Sequence, residues 1–205
     1  NRSYSRRCCD VMKELNDLAK EIHQNAKDKG FWDSPRNTGE IFMLIISEAS
    51  EALEAHRKGR KADLKKFALP HNRNVSDDEW FKISFENCVK DTTADEIADV
   101  VIRILDYCAS QEIEIKPALL STTLISLDSD NFGAALFQIC GEIQRAGEYA
   151  LTNDAWDSAK SKDNIHSALA LIIQLCEREE IDLLKHIELK MKYNATRERM
   201  HGKAY

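Results

Sequence analysis

Two acidic pairs, each sunk in an apolar run, constrain this chain more than anything else in it. Residues 41–55 read IFMLIISEASEALEA and hold Glu48 and Glu51; residues 95–105 read DEIADVVIRIL and hold Glu96 and Asp99. On a helix, residues three apart share a face about one turn from each other. The first run then carries an inward stripe of Ile41, Leu44, Ile45, Ala52 and Ala55, with Glu48 and Glu51 inside it. In the second, everything from Ile97 to Leu105 is apolar except Asp99 and Arg103, so that helix is expected to be buried nearly all round. Carboxylates turned toward a core are costly unless a cation compensates them. Oxygen-only ligands suit a hard cation, Mg²⁺ or alternatively Mn²⁺. The expectation is a helical metal site with Glu48, Glu51, Glu96 and Asp99 as ligands.

The rest of the chain fits a single all-α domain over residues 1–205. Hydrophobic residues make up 43% of it, and only 7 Gly and 3 Pro interrupt its periodic stretches. A formal charge of −6 argues against general nucleic-acid or membrane-surface binding. No apolar run approaches the roughly 18–20 residues of a membrane span, and no signal peptide is visible, so a cytoplasmic protein is expected. The six cysteines form no C-x-x-C pair. Cys108, Cys140 and Cys176 sit among apolar helix residues and read as small core hydrophobes, in keeping with a reducing compartment.

In chain order, a first helix is expected from Tyr4 to Lys29, with Val11, Leu15, Leu18 and Ile22 on one face and Gly30 as its stop. A loop with Phe31 and Trp32 follows. Asn37 or Thr38 caps the helix of Glu48 and Glu51, which ends near Gly59. Residues 62–91 read as an insertion or lid with one short helix around Trp80, Phe81 and Phe85. Asp91-Thr92-Thr93 caps the helix of Glu96 and Asp99, which runs to about Ser110. A further helix is expected beyond Pro117, then a loop at 128–131.

The second half partly repeats the first. Asn131-Phe132-Gly133 matches Asn37-Thr38-Gly39, which places Glu142 on Glu48, Ala146 on Ala52 and Glu148 on Glu54. Asp163-Asn164-Ile165 matches Asp95-Glu96-Ile97, which places Cys176 on Cys108. Shared amphipathic spacing is the competing explanation; two matches in the same order favour an internal tandem repeat. One repeat then spans about 37–115 and is catalytic. The other spans about 131–190 and has lost its acids, since Glu51 becomes Arg145, Glu96 becomes Asn164 and Asp99 becomes Ser167.

S-E-A-S-E at 47–51 and E-I-A-D at 96–99 resemble the paired E-x-x-E and E-x-x-D signature of the all-α nucleoside triphosphate pyrophosphohydrolases. That superfamily includes MazG-like proteins, dimeric dUTPases, dCTPases and phosphoribosyl-ATP pyrophosphohydrolases. KGFWDSPRNTGE at 29–40 resembles the loop ahead of the first acidic helix in MazG-like proteins, and KMKYNATRERMHGK at 190–203 resembles a C-terminal Asn/Arg/Gly-Lys element. Ser47 stands where MazG proteins usually carry a further acid, and the gap from Glu51 to Glu96 is longer than in the compact members. The resemblance implies a helical bundle, usually dimeric or higher, that hydrolyses a nucleoside triphosphate to the monophosphate and pyrophosphate with Mg²⁺. A tandem repeat would reproduce within one chain the pairing that single-repeat members reach by dimerising. A homodimer acting on a nucleotide, with no nucleic-acid or membrane partner, is the expectation.

On that reading Glu48, Glu51, Glu96 and Asp99 hold Mg²⁺ against the triphosphate, and Glu51 is the catalytic carboxylate that accepts the proton of the attacking water. Phosphate-binding candidates are Lys27, Lys29, Arg57, Lys58, Lys190, Arg197 and Lys203, each weighed against an ordinary solvated side chain. Asn194 belongs to the same tail element, about 190–205, that contacts substrate. For the base the candidates are His23, Trp32, Asn37 and Tyr107; capping competes for Asn37 and core packing for Trp32. Arg103, four residues after Asp99, is expected to pair with it. The rival readings are a non-catalytic nucleotide- or metal-binding helical protein and a di-iron carboxylate bundle. The second is disfavoured because neither acidic helix carries His three residues after an acid.

Overall fold

The computed structural model describes residues 2–70, 75–116, 125–152 and 154–202, with side chains excepted at 2–9 and 12. All regular structure among the described residues is helical. The α-helices are α1 (Arg2–Asp28), α2 (Thr38–Arg57), α3 (Leu64–Phe67), α4 (Asp77–Cys88), α5 (Thr93–Ser110), α6 (Phe132–Ala150), α7 (Ala155–Arg178) and α8 (Leu183–Thr196), with a 3-10 turn at Arg199–Gly202. Each helix from α2 onward starts at a side chain that caps it. Asn37, Asp63, Ser76, Thr92, Asn131, Asp154 and Asp182 each accept a hydrogen bond from a backbone N–H of the first turn. A cap of this kind contributes about 1 kcal/mol and sets where the helical register begins. For α5 that register decides the site, because capping at Thr92 puts Asp95 and Glu96 in the first turn and Asp99 one turn further on.

Helix α5 is the axle of the bundle, packed by α1, α2, α7 and α8, while α6 lies against α2 and α7. A single apolar core runs through these helices, with Leu15, Ile45, Leu105, Ile139 and Leu169 fully enclosed. The α2–α6 contact is tight at Gly147, where an added Cβ would meet Phe42 Cγ at 2.9 Å. The α1 face expected from Val11, Leu15, Leu18 and Ile22 packs into this core. As expected, α5 is enclosed nearly all round, with only Asp99, Ile102 and Arg103 partly open between Ile97 and Leu105.

Helix α2 differs in two respects. Ile41, Ile45, Glu48, Ala49, Ala52 and Ala55 face inward, but Leu44 is only half-buried and Glu51 is exposed. Three residues advance a helix by less than a full turn, so Glu51 trails Glu48 around the axis and emerges at the edge of the apolar stripe. The expected insertion holds two short helices, α3 and α4, over an aromatic cluster of their own, in which Phe85 stacks on Tyr193 of α8 at 4.4 Å between ring centroids. The helix expected beyond Pro117 and the tail residue Lys203 lie outside the described residues. No helix among the described residues is long and apolar enough to cross a membrane.

Candidate metal and phosphate site

Helix α2 carries Glu48 to the first two turns of α5. There the carboxylates of Glu48, Glu96 and Asp99 each offer an oxygen within 4.8 Å of the others. Glu48 and Glu96 are buried, and Asp99 opens toward a cavity of about 230 Å³. Glu96 also belongs to a second such group with Asp91 and Asp95. Asp95 is fully enclosed: its Oδ2 accepts from the Asp91 backbone N–H at 3.0 Å and from Lys190 Nζ at 2.8 Å, while Oδ1 has no hydrogen-bond partner. The N-terminus of α5 favours anions here through its unshared N–H groups.

Two cations pair with these acids. Arg103 Nε donates to Glu48 Oε1 at 2.7 Å, so the expected local pair with Asp99 is replaced by one across helices. Lys190 takes Asp99 instead, its Nζ lying 2.8 Å from Asp99 Oδ2 as well as on Asp95. Burial works against the charge of Lys190, but Asp99 and Asp95 outweigh it and keep the ammonium protonated. Glu96 is the least compensated acid. Burial, reinforced by Asp99, Asp95 and Glu48 and opposed by Lys190, pushes it up to about 8. Glu48 is raised too, by burial and then by Asp99, against Arg103.

These shifts predict a pH dependence with a definite sign. Between its ordinary value of 4.5 and about 8, Glu96 binds more proton in the folded than in the unfolded chain. Stability of the metal-free protein is therefore expected to fall as pH rises across that window, by up to a few kcal/mol. His186, whose value burial lowers from 6.5, costs stability only on the acid side and leaves the interval from 7 to 8 to the carboxylates. Ligation requires ionised carboxylates, so Mg²⁺ should reverse the trend. Urea unfolding at pH 7 and pH 8, in EDTA and in Mg²⁺, measures it; a flat profile in EDTA would mean that the acids are already compensated.

The cavity is lined by charges of both signs. Glu48, Glu51, Glu96, Asp99 and Asp106 come from α2 and α5, Lys29 and Arg36 from the α1–α2 connection, and Arg197 from the end of α8. The connection and the tail are laced together: Met200 N–H donates to Lys29 O at 2.8 Å, and Lys29 Nζ donates to Ala195 O at 2.8 Å. Arg199 pairs with Asp33 across the same junction. Asn194 lines the cavity with a buried Oδ1 that has no hydrogen-bond partner.

Of the residues expected from sequence, Lys29, Glu48, Glu51, Glu96, Asp99, Lys190, Asn194 and Arg197 line this one cavity. Glu51 stands outside the close trio, and Lys190 is a buried ion-pair partner rather than a free phosphate hook. Lys27 and Arg57 are exposed and do not line it; Arg57 pairs with Glu54 on its own helix. Asn37 caps α2, and Tyr107 is core, edge-on to Phe42 at 4.9 Å. His23 and Trp32 stop short of the cavity and bind Asp106, which lines it. Sequence reasoning passed over Asp95, Asp106 and Arg36. For Asp106 the signal was present: it is an acid in an apolar run, two turns after Asp99.

In the second half, Glu142 pairs with Arg145, and Arg145 Nε donates to Asn164 Oδ1 at 3.3 Å. A guanidinium thus stands between Glu142 and Asn164. No protein-family model, curated protein or solved structure matches this chain.

Proposed function

We propose that the protein is a Mg²⁺-dependent nucleoside triphosphate pyrophosphohydrolase, releasing the monophosphate and pyrophosphate. The observation that carries this reading is one cavity lined both by the converging carboxylates of Glu48, Glu96 and Asp99 and by the cations Lys29, Arg36 and Arg197. A divalent cation with a polyphosphate is the kind of ligand that satisfies charges of both signs. The donor set fits the ion, being all oxygen, close-set and short of compensating charge at Glu96. Glu48, Glu96 and Asp99 would hold Mg²⁺, which when bound neutralises phosphate oxygens and acidifies water. Arg103 and Lys190 orient two of the three carboxylates. Arg197 and Lys29 face the phosphates. Glu51, on the cavity wall but outside the trio, accepts the proton of the attacking water.

The resemblance of the two acidic motifs and the tail to the all-α pyrophosphohydrolases supports the same reading. So does the pairing of α6 with α7, which parallels that of α2 with α5 and sets Arg145 in place of a metal. We read the chain as a tandem repeat with one working site, its α2–α6 contact standing in for a subunit interface.

The test is pyrophosphate release from a panel of canonical and modified nucleoside triphosphates, with Mg²⁺ and with EDTA. Release that needs the metal and depends on the base is the expected result. Silence across the panel, with Mg²⁺ still bound, would leave a metal-binding helical protein and no enzyme.

A further inference from the structure

Helix α5 continues along the cavity beyond its metal-facing acids. Asp106 lies seven residues after Asp99, on the same face and about 10 Å further along the axis. Its side chain is 14% exposed and lines the cavity. His23 Nδ1 lies 2.6 Å from its Oδ1, and Trp32 Nε1 donates to Oδ1 at 3.0 Å and Oδ2 at 3.1 Å. Neither ring lines the cavity, so both fix the carboxylate from behind. Arg36, 11% exposed, sits over the Trp32 ring at 5.7 Å from its centroid, pairs at 3.6 Å with Glu40 through one nitrogen of its guanidinium, and lines the cavity with Asp106. Ile22, Ala26 and Ile102 supply apolar wall around them.

We propose that Asp106 and Arg36 read the nucleobase, and that the base they select carries an exocyclic amine. The proposal rests on the nucleotide reading above and names its substrate class. A carboxylate offers about four lone-pair sites and only accepts; a guanidinium only donates. His23 and Trp32 leave Asp106 room for a further donor from a ligand. Cytosine, adenine and guanine each place an amine beside a ring nitrogen or carbonyl, which satisfies the carboxylate and the guanidinium together. Uracil and thymine replace cytosine's amine by a carbonyl oxygen and keep one donor, the N3–H set between two carbonyls, so a carboxylate that accepts it also meets a flanking oxygen. Hypoxanthine does the same relative to adenine, and relative to guanine it simply lacks the amine. A half-buried carboxylate facing an oxygen is penalised as an unmet polar pair. Notably, His23 and Trp32 then act as positioning residues for Asp106 and not as contacts to the base.

The test is calorimetric binding of dCMP, dUMP, dAMP, dGMP and dIMP in Mg²⁺, which does not depend on turnover. The protein is expected to bind dCMP over dUMP, or dAMP and dGMP over dIMP, by at least about tenfold. Asp106→Asn, which swaps an acceptor for a donor at constant shape, should shrink that preference below about threefold or reverse it. If this variant does not fold, the unmodified protein alone decides. Equal or tighter binding of dUMP and dIMP than of their amine partners overturns the assignment of Asp106 while leaving the nucleotide reading intact. No binding of any nucleotide overturns both.

Discussion

Glu96→Gln is expected to make the metal-free protein more stable and to remove Mg²⁺-dependent turnover, two effects of opposite sign from one substitution. The first follows from its surroundings. Glu96 is buried beside Asp95, Asp99 and Glu48, and burial with those neighbours pushes its carboxyl up to about 8. A neutral amide of the same shape relieves that repulsion, and the gain should be about 2 kcal/mol at pH 8 and near zero at pH 4.5. The second follows from ligand chemistry. A neutral amide weakens the close trio of Glu48, Glu96 and Asp99, and a loss of about a thousandfold or more in kcat/KM is expected. Urea unfolding in EDTA and steady-state pyrophosphate release read the two effects separately. Activity within tenfold of the parent would remove Glu96 from the site. Lower stability would mean that its charge is already balanced without metal.

Lys190→Met should cost the fold about 3–5 kcal/mol at pH 8. Lys190 is almost fully buried between Asp95 and Asp99, with the Phe85 ring 5.9 Å away, and Asp95 is wholly enclosed. Removing the ammonium strands Asp95, which must then bind a proton or bear an uncompensated charge. The cost is therefore smaller at pH 5.5, where protonation is cheap, and larger at pH 8. Adding Asp95→Leu should recover most of the loss, because an apolar pair replaces a buried ion pair at little net cost. Urea unfolding of the single and double variants at both pH values decides it. A loss below about 1 kcal/mol for Lys190→Met would mean that water reaches this pair.

Much of the site was legible before any fold was known, and the misses share one cause. Helix starts at Asn37 and Thr92 follow from short-range capping chemistry, so the register of α2 and α5, and with it the direction of Glu48, Glu96 and Asp99, can be read from neighbouring letters. Arg103 was paired with the wrong acid because an i,i+4 rule sees only its own helix, whereas Glu48 arrives from α2. Lys190 looked like a tail cation. Yet it falls on the stripe of Leu183, Ile187 and Tyr193 that α8 buries, and a lysine on such a face must find an acid there. His23 and Trp32, expected at the base, hydrogen-bond Asp106 and do not line the cavity.

The sequence by itself determined that the chain is helical, where its acidic helices begin, and that Glu48, Glu96 and Asp99 lie on inward faces, because periodicity and capping are local interactions between near neighbours. Only the tertiary structure decided that Glu51 stands apart from the trio, that Lys190 is buried against Asp95 and Asp99, and that Asp106 lines the same cavity two turns along α5. Those outcomes depend on how α1, α2 and α8 close around α5. Charge partners and cavities are properties of surfaces brought together from distant parts of the chain, and no local pattern encodes them.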